Sequence, residues 1–214
     1  MRDVVKRDYR STLRAAQAQD TRRAVVNAAA ELFAADGYGA TTIDAIASAA
    51  GVSRKTVFSA VGGKVALLKT ALDWAVAGDD RPIALADRPA FRDLFALADP
   101  HRLLRDWIHL QVQIAERAVG LFRALEVAAE IDGEARELLT TLHRQRLQGA
   151  GQIVDRIAEL GAGRPAFPRD HAVDVTWLAA DPVVFDRMVR ERGWATHAFE
   201  AWVADALIEQ LVRG

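Results

Sequence analysis

The chain has 214 residues, 51% hydrophobic and 27% charged, with a formal net charge of −1, six prolines and no cysteine. This composition suits a helix-rich protein with ample core, organised as one large or two small domains. It excludes a disulfide framework and thiolate chemistry; no run of eighteen apolar residues marks a membrane span, and the Arg-rich start has no apolar secretory segment, so a cytoplasmic location is the default expectation.

Residues 1–20 carry Arg2, Lys6, Arg7, Arg10 and Arg14 and read as a mobile basic arm, either an extra phosphate or minor-groove contact or simply a solvated tail. From Thr21 to Ala35 an amphipathic helix presents Val25, Ala29, Leu32 and Phe33 on one stripe, with Gly37 ending it. A second helix follows. Thr41 can cap it, with Asp44 three residues on completing a capping box, and Ile43, Ile46, Ala47 and Ala50 recur at helical spacing. Gly51 supplies the left-handed residue that lets the chain leave the helix, and Ser53 is a second N-cap. In the helix after it, Val57 and Val61 face inward. Arg54, Lys55, Thr56, Phe58 and Ser59 then point outward, a surface of cations, hydroxyls and an aromatic that suits phosphates and base edges.

Two short helices around a tight glycine turn form a helix-turn-helix, the unit that places its second helix in the major groove of DNA. An ordinary helical hairpin with a solvated charged face is the competing reading, and the flanks decide between them. Gly62-Gly63-Lys64 opens a further helix with Val65, Leu68, Leu72 and Val76 on one face. Charge is divided to match. Residues 1–70 hold 11 Lys/Arg and 6 Asp/Glu, a net of +5, while residues 71–214 hold 17 and 23, a net of −6. Such asymmetry suits a protein that sets one end on a polyanion and keeps the other away.

Beyond Gly78-Asp79-Asp80-Arg81-Pro82, which breaks the pattern, the chain reads as a string of helices. A short one lies near 90–97. Another begins at Asp99-Pro100 and runs to about Arg117, continuing to Ile131 with a bend at Gly120. Asp132-Gly133 is a turn, and Glu134–Leu160 is a long helix weakened by Gly149 and Gly151. Residues 161–168 are loop. Asp170–Ala180 is helical, Pro182 begins a short helix ending near Gly193, and Thr196 caps the last, which runs to about Val212. In that last helix Phe199, Trp202, Val203 and Ala206 share a face that Gln210 continues, and Ala204, Ile208 and Leu211 form a second stripe, the pattern of a sandwiched helix.

Residues 21 to about 77 resemble the TetR family of bacterial transcription regulators. The resemblance is carried by Ala29-Ala30-Glu31-Leu32-Phe33 with Gly37-Tyr38, by Thr41-Thr42 through Ala47, by Gly51-Val52-Ser53-Arg54-Lys55-Thr56-Val57-Phe58, and by Gly63-Lys64 with Ala66-Leu67-Leu68. Residues 172–177, 181–185, 192–194 and 202–207 are similar to ligand-domain sequences of the family; the middle matches only by helical pattern. The resemblance implies an all-α fold: a basic arm (1–20), a three-helix helix-turn-helix DNA-binding domain (21–68), and a C-terminal helical bundle (69–214) for ligand binding and dimerisation. It implies double-stranded DNA as partner, contacted by Thr41, Thr42, Ser53, Arg54, Lys55, Thr56, Phe58, Ser59 and Lys64. A two-fold homodimer reading a palindromic operator follows, as does an unidentified small-molecule effector. Candidates for the effector pocket are Trp107, His109, Gln113, Phe122, Glu126 and His143. Candidates for the dimer interface are Trp177, Phe199, Trp202, Val203, Ala206 and Gln210. One departure stands out. Where the family's recognition helix ends in Tyr, one or two His or Tyr, then Phe, this chain has Phe58-Ser59-Ala60-Val61, so backbone anchoring by this helix should be weaker; Phe58 is free instead to pack on a thymine methyl.

No cofactor, metal site or membrane contact is expected, since no HxxxH or Cys/His spacing occurs. An enzyme is the rival class. The four serines include none in a Gly-x-Ser-x-Gly elbow, and no Walker pattern occurs. The Glu126/Glu130 pair lacks the Glu-x-x-His companions of bundle metal sites. A third reading is a dimeric helical protein whose altered recognition helix no longer binds DNA.

Overall fold

The computed structural model describes residues 2–164 and 168–213, with side chains from residue 14 onward. Among them the secondary structure is helical, apart from an isolated antiparallel bridge between Gly163 and Val212. The elements are α1 (Arg2–Ala40), α2 (Ile43–Ala49), α3 (Arg54–Ala60), α4 (Lys64–Ala77), a 3-10 turn (Leu85–Asp87), α5 (Pro89–Phe95), α6 (Pro100–Ile131), α7 (Gly133–Glu159), α8 (Arg169–Ala179), α9 (Pro182–Phe185), a π-helical turn (Asp186–Glu191) and α10 (Thr196–Leu211). No described helix is long and apolar enough to cross a membrane.

The chain divides into two compact units, residues 1–75 with 120–136, and residues 76–119 with 137–214. In the first, α1 supplies Val25, Val26, Ala29 and Phe33 to a core completed by Ile46, Val57, Leu67, Leu68 and Leu72. Leu67 is as deeply buried as Leu68, whereas Val65 and Val76, expected on the inner face of α4, are only half-buried. Where a mobile arm is expected, the backbone is helical from Arg2 and continuous with α1; the side chains of Arg2, Lys6, Arg7 and Arg10 lie outside the described residues. Gly37 is the one break in α1, at φ 78. That left-handed geometry strains any residue with a Cβ, and it turns Tyr38 inward to stack on Phe33 at 5.8 Å between ring centroids.

Gly120 does not interrupt α6, which runs for 32 residues. The glycine serves packing instead: a Cβ there would lie 2.9 Å from that of Ala34, so its absence lets α1 and α6 approach closely. Asp132 ends the helix pair as a cap, its Oδ1 accepting from the backbone N–H groups of Glu134 (2.9 Å) and Ala135 (3.3 Å) at the start of α7.

In the second unit, Leu103, Leu104, Trp107 and Ile108 of α6 pack with Ile153 and Ile157 of α7 and with Phe199, Val203 and Leu207 of α10. The loop before α5 is tied down electrostatically. Arg88, almost fully buried, forms a bidentate pair with Asp79 (2.8 and 2.9 Å), which also accepts from Arg81; these guanidinium hydrogen bonds hold the Asp79 carboxyl well below the usual carboxylate range. α10 begins at Thr196 without a side-chain cap, because Ala195 occupies the N-cap position and the Thr196 hydroxyl turns toward Glu116.

Candidate nucleic-acid interface

The helix-turn-helix forms as two seven-residue helices whose ends are closed one by one. Thr42, not Thr41, is the N-cap of α2, its Oγ1 accepting from the Ala45 N–H at 3.1 Å. Thr41 is 1% exposed and donates its hydroxyl to the Gly37 carbonyl at 2.8 Å. It therefore closes the end of α1 and is removed from any surface that could meet DNA, which corrects its assignment as a contact. The turn after α2 is a Schellman closure. Val52 N–H donates to Ala47 O (2.9 Å) and Gly51 N–H to Ser48 O (3.2 Å), with Gly51 at φ 67. Ser53 then caps α3 by accepting from Thr56 N–H at 3.1 Å.

Val57 is fully buried and fixes which way α3 faces. Arg54, Lys55, Phe58 and Ser59 are thereby left exposed on the outer side, with Thr56 half-buried. Phe58 keeps 47% of its area open, an uncovered ring on a helix whose inner face is closed. Three contacts set the outer residues. Arg54 reaches back to Asp44 of α2, Nη1 to Oδ2 at 2.9 Å. Ser59 donates to the Thr56 carbonyl at 3.0 Å. Arg22 of α1, which the motif reading missed, donates from Nη1 to the Ala60 carbonyl at 2.6 Å and so caps the C-terminal end of α3. A long-range contact between α1 and α3 leaves no local pattern in the sequence.

Lys64, at the first position of α4, is half-buried, with its Nζ 4.0 Å above the Tyr38 ring. The Tyr38 hydroxyl donates to Asp132 Oδ2 at 3.1 Å. Burial first, then that hydrogen bond and the nearby Asp132 and Glu134 charges, push the Tyr38 phenol up to about 12. Burial lowers the Lys64 pKa, with Asp132 opposing it, and the cap of α7 together with Tyr38 holds Asp132 below its ordinary value.

The six residues expected around an effector are divided between the two units. Phe122 is buried and Glu126 half-buried in the first unit, with the helix-turn-helix. Trp107 is core, 4% exposed. His109 is exposed in a surface chain: Gln113 Nε2 lies 2.9 Å from its Nε2, and its Nδ1 lies 3.0 Å from Glu200 Oε1. His143 packs edge-on to Trp177 at 6.1 Å. An open cavity of about 400 Å³ lies elsewhere in the second unit, among Val154, Ile157, Arg164, Arg169, Leu211 and Arg213. A cleft of only about 10 Å³, room for about one water, touches Ile108, Val112, Phe185 and Phe199.

The interface candidates divide as well. Phe199 and Val203 are buried within the chain itself, so they leave that list; Trp177 and Ala206 are half-buried, and Trp202 and Gln210 are exposed. The stripes of α10 are rotated from the expected assignment, with Phe199, Val203, Leu207 and Leu211 inward. Trp202 (47% exposed) faces out, and Trp194 (38%) and Leu178 (56%), which the sequence reading left off the list, are exposed too.

Residues 25–71 match the family model of bacterial regulatory proteins, tetR family. The chain is 41% identical over 58 residues to the HTH-type transcriptional regulator SrpR of Pseudomonas putida, a stretch covering 27% of each protein. The matched stretch thus spans about a quarter of that relative. Two solved structures extend over nearly the whole chain and show the fold. NalD, the secondary repressor of the MexAB-OprM multidrug efflux pump in Pseudomonas aeruginosa, superposes with a TM-score of 0.65 at 21% identity over 92% of this chain and 98% of that one. A SmeT–triclosan complex superposes with a TM-score of 0.66 at 20% identity over 90% and 92%. The capped α2–α3 hairpin lies at the centre of the residues that match that family model.

Proposed function

We propose that the protein is a homodimeric, operator-binding transcriptional repressor that a small molecule releases from DNA. The observation that carries this reading is the outer face of α3, where Arg54, Lys55, Phe58 and Ser59 stand exposed on a helix locked from behind by Val57. Arg and Lys there supply phosphate neutralisation and guanine contacts, and Phe58 a partner for a thymine methyl. Thr42, Ser53, Thr56 and Lys64 flank that face and complete the proposed contact set.

One seven-residue helix spans too few base pairs for specificity, so the reading requires a two-fold pair. The exposed Leu178 of α8 and Trp202 of α10, with Trp194 beside it at 5.6 Å between ring centroids, offer the apolar surface such a pair would cover. The effector site belongs to the second unit, where Trp107, His109, Gln113 and His143 lie; a neighbour of similar fold solved as a complex with triclosan supports this reading. Release follows if the effector binds more tightly to a state whose recognition helices are spaced wrongly for the operator, and it cannot exceed that differential affinity.

Sequencing of genomic fragments retained by the protein, followed by binding titrations at several salt concentrations, tests the reading. Specific retention with a steep salt dependence is expected, and Arg54→Ala and Lys55→Ala should each weaken it while leaving the helical circular dichroism unchanged. Equal indifference to every duplex at low ionic strength refutes it.

A further inference from the structure

Lys64 occupies an electrostatically awkward place. It begins α4, and the N-terminal end of a helix carries a partial positive charge that disfavours a cation. The side chain also lies half-buried over the Tyr38 ring at 4.0 Å. A cation so placed calls for an anion. At the hydroxyl end of that ring stands Asp132, whose two oxygens divide their work: Oδ1 caps α7, and Oδ2 takes the Tyr38 hydroxyl, so that its charge acts on Lys64 by way of the ring both touch. Lys64 also stands only four residues beyond the end of α3, close in sequence to the face assigned to DNA.

We propose that Asp132 competes with operator phosphate for Lys64, so that the α6–α7 corner sets the DNA affinity of the helix-turn-helix. This rests on the DNA-binding reading given above. With Asp132 in place, its negative charge favours the lysine where it lies over Tyr38, and contact with a phosphate draws Lys64 out of that field. Withdrawal of the corner, or loss of its charge, leaves Lys64 unopposed at the start of α4 and favours phosphate. All three residues belong to one compact unit.

The test is Asp132→Asn, which keeps an oxygen to cap α7 and removes the charge; Asp132→Ser, also a capping residue, serves if Asn disturbs folding. Binding to a retained genomic fragment is titrated from low to moderate salt for the wild type, D132N, K64Q and the double variant. The expected result is tighter binding by D132N, about fivefold or more, with a salt dependence steeper by about 0.9 per recognition module, the value of one added phosphate contact. On the K64Q background the substitution at 132 should then have no effect. If D132N binds as the wild type does, or if its gain persists without Lys64 and so reflects only a lower net negative charge, the competition is overturned while DNA binding stands. A wild type that binds no duplex overturns both.

Discussion

Arg22 provides a sharp test of how the recognition helix is held. At seven residues, α3 is far below the length at which a helix persists in water, because nucleation costs more than two turns recover. Its order therefore comes from the Ser53 cap, burial of Val57 and the Arg22 guanidinium on the Ala60 carbonyl at 2.6 Å. Arg22→Met keeps the aliphatic stem and deletes the donor. A hydrogen bond to a charged group contributes about 1.5–3 kcal/mol; the contact is only partly buried, and water replaces some of it, so the expected loss is about 1–2 kcal/mol. For a chain of this size that lowers Tm by about 2–8 °C. It also raises amide exchange in the last turn of α3, around Phe58–Val61. Operator affinity should fall by at most about 5- to 30-fold per recognition helix, the same free energy expressed as a ratio. Arg22→Lys should fall between, since an ammonium can still donate to that carbonyl. Arg23→Met is the control: its exposed pair with Asp20, at 3.9 Å, contributes little. Equal exchange protection of α3 in Arg22→Met and Arg23→Met refutes the assignment.

Glycine substitutions separate packing from propensity. Gly149→Ala meets nothing within 4 Å in α7 and should stabilise by about 0.5–1 kcal/mol in urea unfolding at fixed protein concentration. Gly120→Ala gains the same propensity but drives a Cβ to 2.9 Å from Ala34, an overpacking cost of about 1–3 kcal/mol; a Gly120→Ala protein as stable as Gly149→Ala contradicts the close approach of α1 and α6. Tyr38 predicts a pH effect. Its folded pKa of about 12 exceeds the ordinary 10.0, so the native state holds the proton longer and the contribution is full below pH 10, then lost as pH rises toward 12. Urea midpoints of the wild type should fall over that window relative to Tyr38→Phe, and parallel curves negate the shift. For Phe58, half-exposed on the outer side of α3, replacement by Tyr should change operator affinity and preference; if both stay the same, Phe58 does not read a base.

The sequence alone determined the helical class and the helix-turn-helix, because caps, glycine turns and apolar spacing act over three to five residues and are written locally. Ser53, Gly51 and Val57 did what their spacing implied. Even the local reading slipped by one position at Thr41 and Thr42, since two adjacent threonines offer equal caps and only the exit of α1 through Gly37 decides which is buried. Tertiary structure decided what depends on contacts between distant residues. It set Arg22 on the end of α3, Asp132 beside Tyr38, and Gly120 against Ala34. It also separated Phe199 and Val203 from Trp202, because a helix apolar on two sides does not reveal in its spacing which side the rest of the chain covers.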